Sequence, residues 1–390
     1  MDVKLKATSR VTVDAHDPIR IDAVEVRLVR LPLAEPFETS LWRVDSRLIF
    51  LVRIDAEGTT GWGEVVALEQ PHYSYETVVT ARHVITDFFA PAILERAVAS
   101  LDDLTARLSG FRGHPMARAG LELAYTDLVA RLRGESLSQV LGGELERVQV
   151  GVSLGIQSSV RALLDQVDKH LALGYRRIKL KIKPGWDSDV VAEVRRRHPL
   201  ILLSVDANAA YTLADRAHLK TLDAFGLLMI EQPLQHDDLL DHAELQRELT
   251  TAICLDESIT GLRRASEALE LGSCRTVNMK VGRVGGYSQA LPIHDLCRTR
   301  GVPLWCGGML ESGIGRAHNI ALASLPAFTL PGDISASRRY FTRDIVSPEI
   351  ELNPDGTLTV PSGSGIGYEI DVDYIQTRTE GVTRVVRDRI

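Results

Sequence analysis

Five residues in the second half of the chain have the types and spacing for acid–base and metal chemistry. Lys181, Asp206, Glu231, Asp256 and Lys280 follow one another at steps of 25, 25, 25 and 24 residues. Each stands in a short apolar run: RRIKLKI (176–182), LILLSVDAN (200–208), LLMIEQP (227–233), TAICLDES (251–258) and TVNMKV (276–281). Such a step is the length of one strand–helix unit, so each residue is expected at the equivalent end of its own strand. Asp206, Glu231 and Asp256 would then lie on neighbouring strands and converge. Three half-buried carboxylates repel unless a cation neutralises them, and hard oxygen donors select Mg2+ or Mn2+ over zinc. Lys181 and Lys280 would face each other across the opening. One would remove a proton from one face of a bound carbon and the other return it to the opposite face. The cation would hold a substrate carboxylate and stabilise the enediolate left by loss of the α-proton.

Taken singly, an Asp at a strand end reads as a cap and an inward Lys as a salt-bridge partner. Five such residues on five successive strands do not read that way together. A base needs a lowered pKa, and Lys179, on the same side of the strand as Lys181, is a like charge expected to lower it. Arg283 is expected to do the same for Lys280, or to serve as a loop or ligand contact. Asn208 and Glu257 stand beside the strand-end acids. Lys183 reads as solvent-exposed.

These residues require a scaffold. From about Arg147, eight β-rich runs alternate with helical stretches; the remaining three are VQVGVSLGI (148–156), PLWCGGM (303–309) and FTLPGDI (328–334). The expected fold is α/β: a (β/α)8-type, modified TIM barrel over 146–342, with a doubly wound sheet as the alternative. Upstream, 21–33 and 46–65 alternate apolar and polar residues around a Glu57-Gly58 turn, and helical patterns follow from about Ser74 to Arg133. Residues 19–145 therefore read as an α+β capping domain, to which the tail 343–390 returns. Residues 1–18 read as a polar N-terminal extension, disordered or peripheral.

The 390-residue chain is 45% hydrophobic and 25% charged, with a net charge of −7, which excludes a basic nucleic-acid-binding face and a disordered chain. Cys254, Cys274, Cys297 and Cys306 lack C-x-x-C spacing and read as buried thiols in a reducing compartment. No secretory signal and no stretch of about 18 apolar residues is present, so a cytoplasmic protein without membrane contact is expected.

The strings KLKIKPGWD, SVDAN, LMIEQPL, ICLDES, VNMKVGRVGG, WCGGMLESGIGR and TLPGDISAS resemble the enolase superfamily, muconate-lactonizing subgroup, over nearly the whole chain. Within it the likeness is to o-succinylbenzoate synthase and N-acylamino acid (N-succinylamino acid) racemase. The resemblance implies Mg2+, or Mn2+ or another divalent cation, on Asp206, Glu231 and Asp256. It implies Lys181, second lysine of the K-x-K motif, and Lys280 as the acid/base pair, with Glu257 orienting a ligand. The seventh strand ends in Gly-Gly-Met without a His, which disfavours a mandelate racemase-like His–Asp pair. Ser153 is implied beside the substrate, or else as barrel packing. Phe37 or Trp42, in LAEPFETSLW (33–42), is implied as part of a lid, or else as cap packing. Gly307, Gly308 and Met309 would let a succinyl arm approach the backbone; the glycine-rich stretch 307–315 lacks the lysine of a phosphate cradle.

The implied substrate is a small carboxylate with a succinyl or acyl arm, and the implied assembly a homo-oligomer. One outcome is dehydration of 2-succinyl-6-hydroxy-2,4-cyclohexadiene-1-carboxylate, as in menaquinone synthesis. The other is racemisation of an N-succinyl amino acid, which Arg283 favours. Dipeptide epimerisation, cycloisomerisation and sugar-acid dehydration are alternatives. Epimerases carry Asp-x-Asp at the eighth strand, where this chain has only Asp333. A non-catalytic scaffold would have lost ligands or lysines, and all five residues are present.

Overall fold

The computed structural model describes residues 13–38 and 43–387. It begins with β1 (Asp14–Ile19), β2 (Ile21–Glu38), β3 (Arg43–Ala56) and β4 (Thr59–Val65). Glu57 and Gly58 both take positive φ, 53° and 73°, the backbone that turns a tight hairpin with the twist of its strands. Part of the expected extension enters a strand at the edge of the cap. β1 pairs antiparallel with β5 (Val98–Ser100), and Val13 is buried, because this otherwise polar stretch carries apolar residues at Val13 and Ile19. Residues 1–12 lie outside the described residues.

Helices α1 (Val78–Val84) and α2 (Ala90–Leu94), joined by a π-helical turn, precede β5; α3 (Leu101–Leu108), α4 (Pro115–Arg133) and α5 (Leu137–Leu141) follow it. Pro115 opens α4 and Gly134, at φ 68°, closes it. α4 lies directly on the sheet because glycines let the backbones touch: a Cβ on Gly63 would stand 2.3 Å from the Gly120 carbonyl.

The barrel follows as β6 (Arg147–Gln149), β7 (Gly151–Leu154), α6 (Val160–Ala172), β8 (Arg177–Lys181), α7 (Ser188–Arg197), β9 (Leu202–Asp206), α8 (Arg216–Thr221), β10 (Ile230–Glu231), α9 (Leu240–Glu248), β11 (Ile253–Leu255), α10 (Leu262–Leu271), β12 (Thr276–Met279), α11 (Val281–Val284), α12 (Tyr287–Arg300), β13 (Leu304–Cys306) and α13 (Gly313–Ala323). β7 to β13 form a seven-stranded parallel sheet in chain order. The eighth run closes it without becoming a regular strand. Leu330 and Asp333 donate to Leu304 and Cys306 on one side, and Gly332 donates to Gln149 on the other. Pro331 has no N–H to give to a ladder. The run 148–156 also divides: β6 pairs antiparallel with a strand of the tail, and only β7 enters the barrel.

The tail adds α14 (Ser337–Tyr340), β14 (Val346–Ser347), β15 (Thr357–Thr359), β16 (Glu369–Ile370), α15 (Val372–Arg378) and β17 (Thr379–Val386). β17 pairs antiparallel with β2, giving the order β17-β2-β3-β4, so both ends of the chain build the cap. All four cysteines are buried and unpaired. No helix among the described residues is long and apolar enough to cross a membrane.

Candidate active site

The even spacing does not translate into one level across the sheet. Lys181 is the Cα partner of Asp206, and Asp206 of Glu231. Glu231, however, pairs with Cys254, so Asp256 lies two residues further along its strand. Strands of a barrel stagger as they close, and the side-chain repeat of two keeps Asp256 on the inward face.

A cavity of about 290 Å3 opens between barrel and cap. The barrel contributes Ser153, Lys179, Lys181, Asp206, Asn208, Lys280, Gly308, Met309 and Asp333; the cap contributes Phe37, Arg47, Leu68, His72 and Tyr73 among others. Lys181 and Lys280 enter from β8 and the end of β12, with β9, β10 and β11 between them. Glu231 and Asp256 lie beneath the floor, at 0% and 1% exposure.

The acids and bases are interleaved. Lys181 Nζ donates to Asp206 Oδ2 at 2.5 Å and to Asn208 Oδ1 at 2.6 Å. Lys179 Nζ lies 2.6 Å from Glu231 Oε2, 2.6 Å from Asp333 Oδ2 and 3.2 Å from Asp206 Oδ2. Lys280 Nζ donates to Asp256 Oδ2 at 2.8 Å, and Arg283 Nη1 donates to Asp256 Oδ1. Asn208 Nδ2 donates to Glu257 Oε1 at 3.0 Å. Asn208 and Gln232 sit at φ 45° and 37°, strained positions just after Asp206 and Glu231.

Lys179 is ion-paired, and one expectation about charge fails. Lys179 does not act as a free like charge beside Lys181. Burial alone would lower its pKa, but Asp333, Glu231 and Asp206 outweigh it and raise it. Lys280 is also raised, not lowered: burial is outweighed by Tyr73, Glu257 and Glu231. Arg283 does not line the cavity. It is pinned to Asp256 and to the carbonyls of Ile259 (2.7 Å) and Asn278 (2.5 Å). Burial raises Glu231 and Glu257, assisted by the charge of Asp206. Asp206 itself is held well below the usual carboxylate range, because Lys181 and Lys179 overcome its burial.

The three carboxylates do not close on one point. Among the described residues no three His, Cys, Asp or Glu side chains gather as a metal-ligand cluster. Ammonium and guanidinium groups stand among them instead. The donor chemistry nevertheless fits a hard divalent cation. Every acidic donor is a carboxylate oxygen, the carboxylates already recruit positive charge, and Glu257 Oε2 is buried without a partner.

Gly307 has a different use from the one expected. It packs on Asn278, where a Cβ would stand 2.1 Å from Oδ1, and Asn278 donates to Glu231 Oε1 at 2.7 Å. Gly308 and Met309 do line the cavity, as do Ser153, whose Oγ is buried without a partner, and Phe37. Trp42 lies outside the described residues. Lys183 is half-buried.

Residues 162–374 match the family described as enolase C-terminal domain-like. Residues 21–142 match the mandelate racemase / muconate lactonizing enzyme N-terminal domain. This chain belongs to the enolase superfamily. The o-succinylbenzoate synthase of Geobacillus stearothermophilus is 51% identical over 93% of this chain and 96% of its own length. The N-succinylamino acid racemase of Thermus thermophilus is 50% identical over 93% of this chain and 98% of its own. An enolase-superfamily member from Listeria innocua superposes at a TM-score of 0.91, with 40% identity, 95% of this chain and 100% of the other being covered. Enzymes of this superfamily depend on a divalent metal.

The superfamily member described here has site residues that the spacing did not reveal. Tyr73, from the cap loop after β4, donates to Asp256 Oδ1 at 2.8 Å, and its ring lies 4.5 Å from Lys280 Nζ. Asp333 pairs with Arg177 at 2.6 Å as well as with Lys179, and both cations lie over Trp305. Gln232 Oε1 accepts from the Asp256 amide at 3.0 Å, tying the ends of β10 and β11 together. Tyr73 had no sequence signal, since it arrives from the other domain. Gln232 and Asp333 were visible in EQP and PGD, but their partners were not.

Proposed function

We propose that this enzyme removes the α-proton from a carboxylate substrate bearing an acyl arm, as an o-succinylbenzoate synthase, an N-succinylamino acid racemase, or both. The supporting observation is that Lys181 and Lys280 open on one cavity from well-separated strands. In racemisation Lys181 takes the α-proton from one face and Lys280 supplies a proton to the other; in the reverse direction they exchange roles. In dehydration Lys181 takes the α-proton of the cyclohexadiene carboxylate, the carbon–oxygen bond to the 6-hydroxyl breaks as the ring becomes aromatic, and the departing hydroxide takes the proton from Lys181 and leaves as water. Lys280 then stays charged and stabilises the negative charge developing on the substrate.

Asp206, Glu231 and Asp256 would hold Mg2+, with Glu257 beside them. When bound, such an ion would supply positive charge at the substrate carboxylate. Lys179, held by Asp333, remains a fixed positive charge in the floor. Gly308 and Met309 receive the acyl arm, Ser153 Oγ is free to bond to substrate, and Phe37 shields the cavity from water. A dipeptide ammonium would find Asp333 already committed to Arg177 and Lys179, which favours the acyl reading over epimerisation.

The test is α-hydrogen exchange in deuterated water with each enantiomer of an N-succinyl amino acid, run beside a dehydration assay. Deuterium is expected to enter from both enantiomers, and Lys280→Ala to abolish both activities. Normal racemisation by Lys280→Ala would refute the two-base reading, and exchange from one enantiomer alone would restrict the enzyme to the synthase role.

A further inference from the structure

A second buried polar cluster stands beside the cavity, where cap meets barrel. Glu64, on β4 of the cap, reaches the start of α13. Its Oε2 accepts from Ser312 Oγ at 2.6 Å and from the amides of Ser312 and Gly315, each at 3.2 Å. Glu311 accepts from the Met309 amide at 2.8 Å and from Asn319 Nδ2 at 3.0 Å. Arg47, on β3, lines the cavity and donates to the carbonyls of Val66 and Ala67 at 2.9 and 3.0 Å. Glu64, Arg47, Glu311 and Ser312 are all at most 5% exposed. None of them has a part in the acid–base chemistry above.

What the cluster holds is the cavity wall. Gly308, Met309 and Leu310 line the cavity, and Leu310 takes φ 57°, a backbone that a leucine keeps only when its surroundings impose it. The surroundings here are two carboxylates. Glu311 fixes the Met309 amide from within the barrel, and Glu64 fixes Ser312 and Gly315 from the cap. The fit is tight: a Cβ on Gly315 would stand 2.8 Å from Glu64 Oε2 and 2.8 Å from Glu311 Cβ. A shift of the cap sheet therefore moves the anchor of the wall.

We infer that Glu64 is a positioning residue for acyl-arm selectivity, fixing from the cap the Gly308–Leu310 wall against which the arm lies. The inference rests on the proposed use of Gly308 and Met309 as the acyl-arm surface. The seating of the cap then decides which acyl groups are accepted. Arms long enough to lie along the wall, such as a four-carbon diacid monoamide, depend on Glu64. An acetyl group, too short to follow the wall, does not.

The test compares N-succinyl and N-acetyl derivatives of one amino acid on the full-length enzyme. Losing a buried acceptor is expected to raise the KM of Glu64→Ala for the N-succinyl substrate by about tenfold, with kcat little changed. The N-acetyl kinetics should stay within about twofold, and Glu64→Gln, which keeps an oxygen at the same reach, should restore the N-succinyl KM. Amide hydrogen exchange supplies a readout without substrate. Peptides covering 308–315 should exchange faster in Glu64→Ala than in the wild type, while those covering 276–281 stay unchanged. Equal losses on both substrates, or unchanged exchange at 308–315, would overturn the inference. If Glu64→Ala does not fold, Glu64→Asp, too short to reach Ser312, gives the same comparison. A wild-type enzyme inert toward both substrates would instead overturn the acyl reading itself, and the inference with it.

Discussion

Replacing Glu64 or Glu122 by glutamine removes a carboxylate that the fold has taken entirely out of water. Burial, helped by the charge of Glu311, raises Glu64 to about 7 against the opposing pull of Ser312 and Arg47. Burial likewise raises Glu122 to about 7, opposed by the amide and hydroxyl of Ser288, by Arg118 and by Thr105. Both carboxylates meet the start of a helix, α13 for Glu64 and α12 for Glu122, and a helix dipole favours the ionised form by up to about 1–2 kcal/mol. Desolvation wins over it. In the unfolded chain both groups titrate near 4.5. Between that value and about 7 the native state binds more protons than the unfolded state, so stability is lost as pH rises through this window. At about 1.4 kcal/mol per pH unit, the gap amounts to about 3 kcal/mol for each group. Glutamine cannot ionise and is free of this loss. Urea unfolding at pH 5, 6, 7 and 8, followed by circular dichroism and fluorescence, compares each variant with the wild type. The stability of the variant relative to the wild type is expected to rise by about 2.5 kcal/mol from pH 5 to pH 8, since pH 5 already lies inside the window, and by about twice that for the double variant. A relative stability constant across the range to within about 0.5 kcal/mol would refute the claim that burial governs these carboxylates.

Stripping divalent metal with a chelator and restoring Mg2+ should raise the thermal midpoint. An ion bound only to the native state adds about 2.7 kcal/mol at one hundred times its Kd, and a midpoint indifferent to Mg2+ would count against the carboxylate site. The effect should disappear in Glu231→Gln. Gly307→Ala should cost about 1–3 kcal/mol and most of the activity. Its Cβ would stand 2.1 Å from Asn278 Oδ1, so Asn278 must give up its position on Glu231. Wild-type-like stability and kinetics for this variant would show that Asn278 does not position Glu231.

Position was legible in the sequence where candidate residues recur along one strand–helix rhythm. Lys181, Asp206 and Glu231 share one level in the register, as their equal spacing predicts. The same spacing misplaces Asp256, because barrel stagger is a property of closure that no interval within the chain records. The Glu57-Gly58 hairpin was legible for a local reason, since its backbone is encoded in the two turn residues themselves. The eighth run was not, because its hydrogen bonds depend on what β7 and β13 offer it. Charge was read less well than position. Lys179 looks like a free cation in KLK but lies among three carboxylates, from the ends of β9 and β10 and from the eighth run.

The residues that escaped notice share a cause. Tyr73 and Glu64 belong to the cap yet act on the barrel, meeting Asp256 and Ser312 across 183 and 248 positions of sequence. Motifs lie within short intervals of sequence, and a seam between domains has none. The two kinds of residue also divide the work. On the proposed reading the strand ends carry the protons, while the seam lines the cavity and sets Tyr73 against Lys280. The contacts of Glu64 and Tyr73 are therefore the place to look for what separates a synthase from a racemase among chains about half identical to this one.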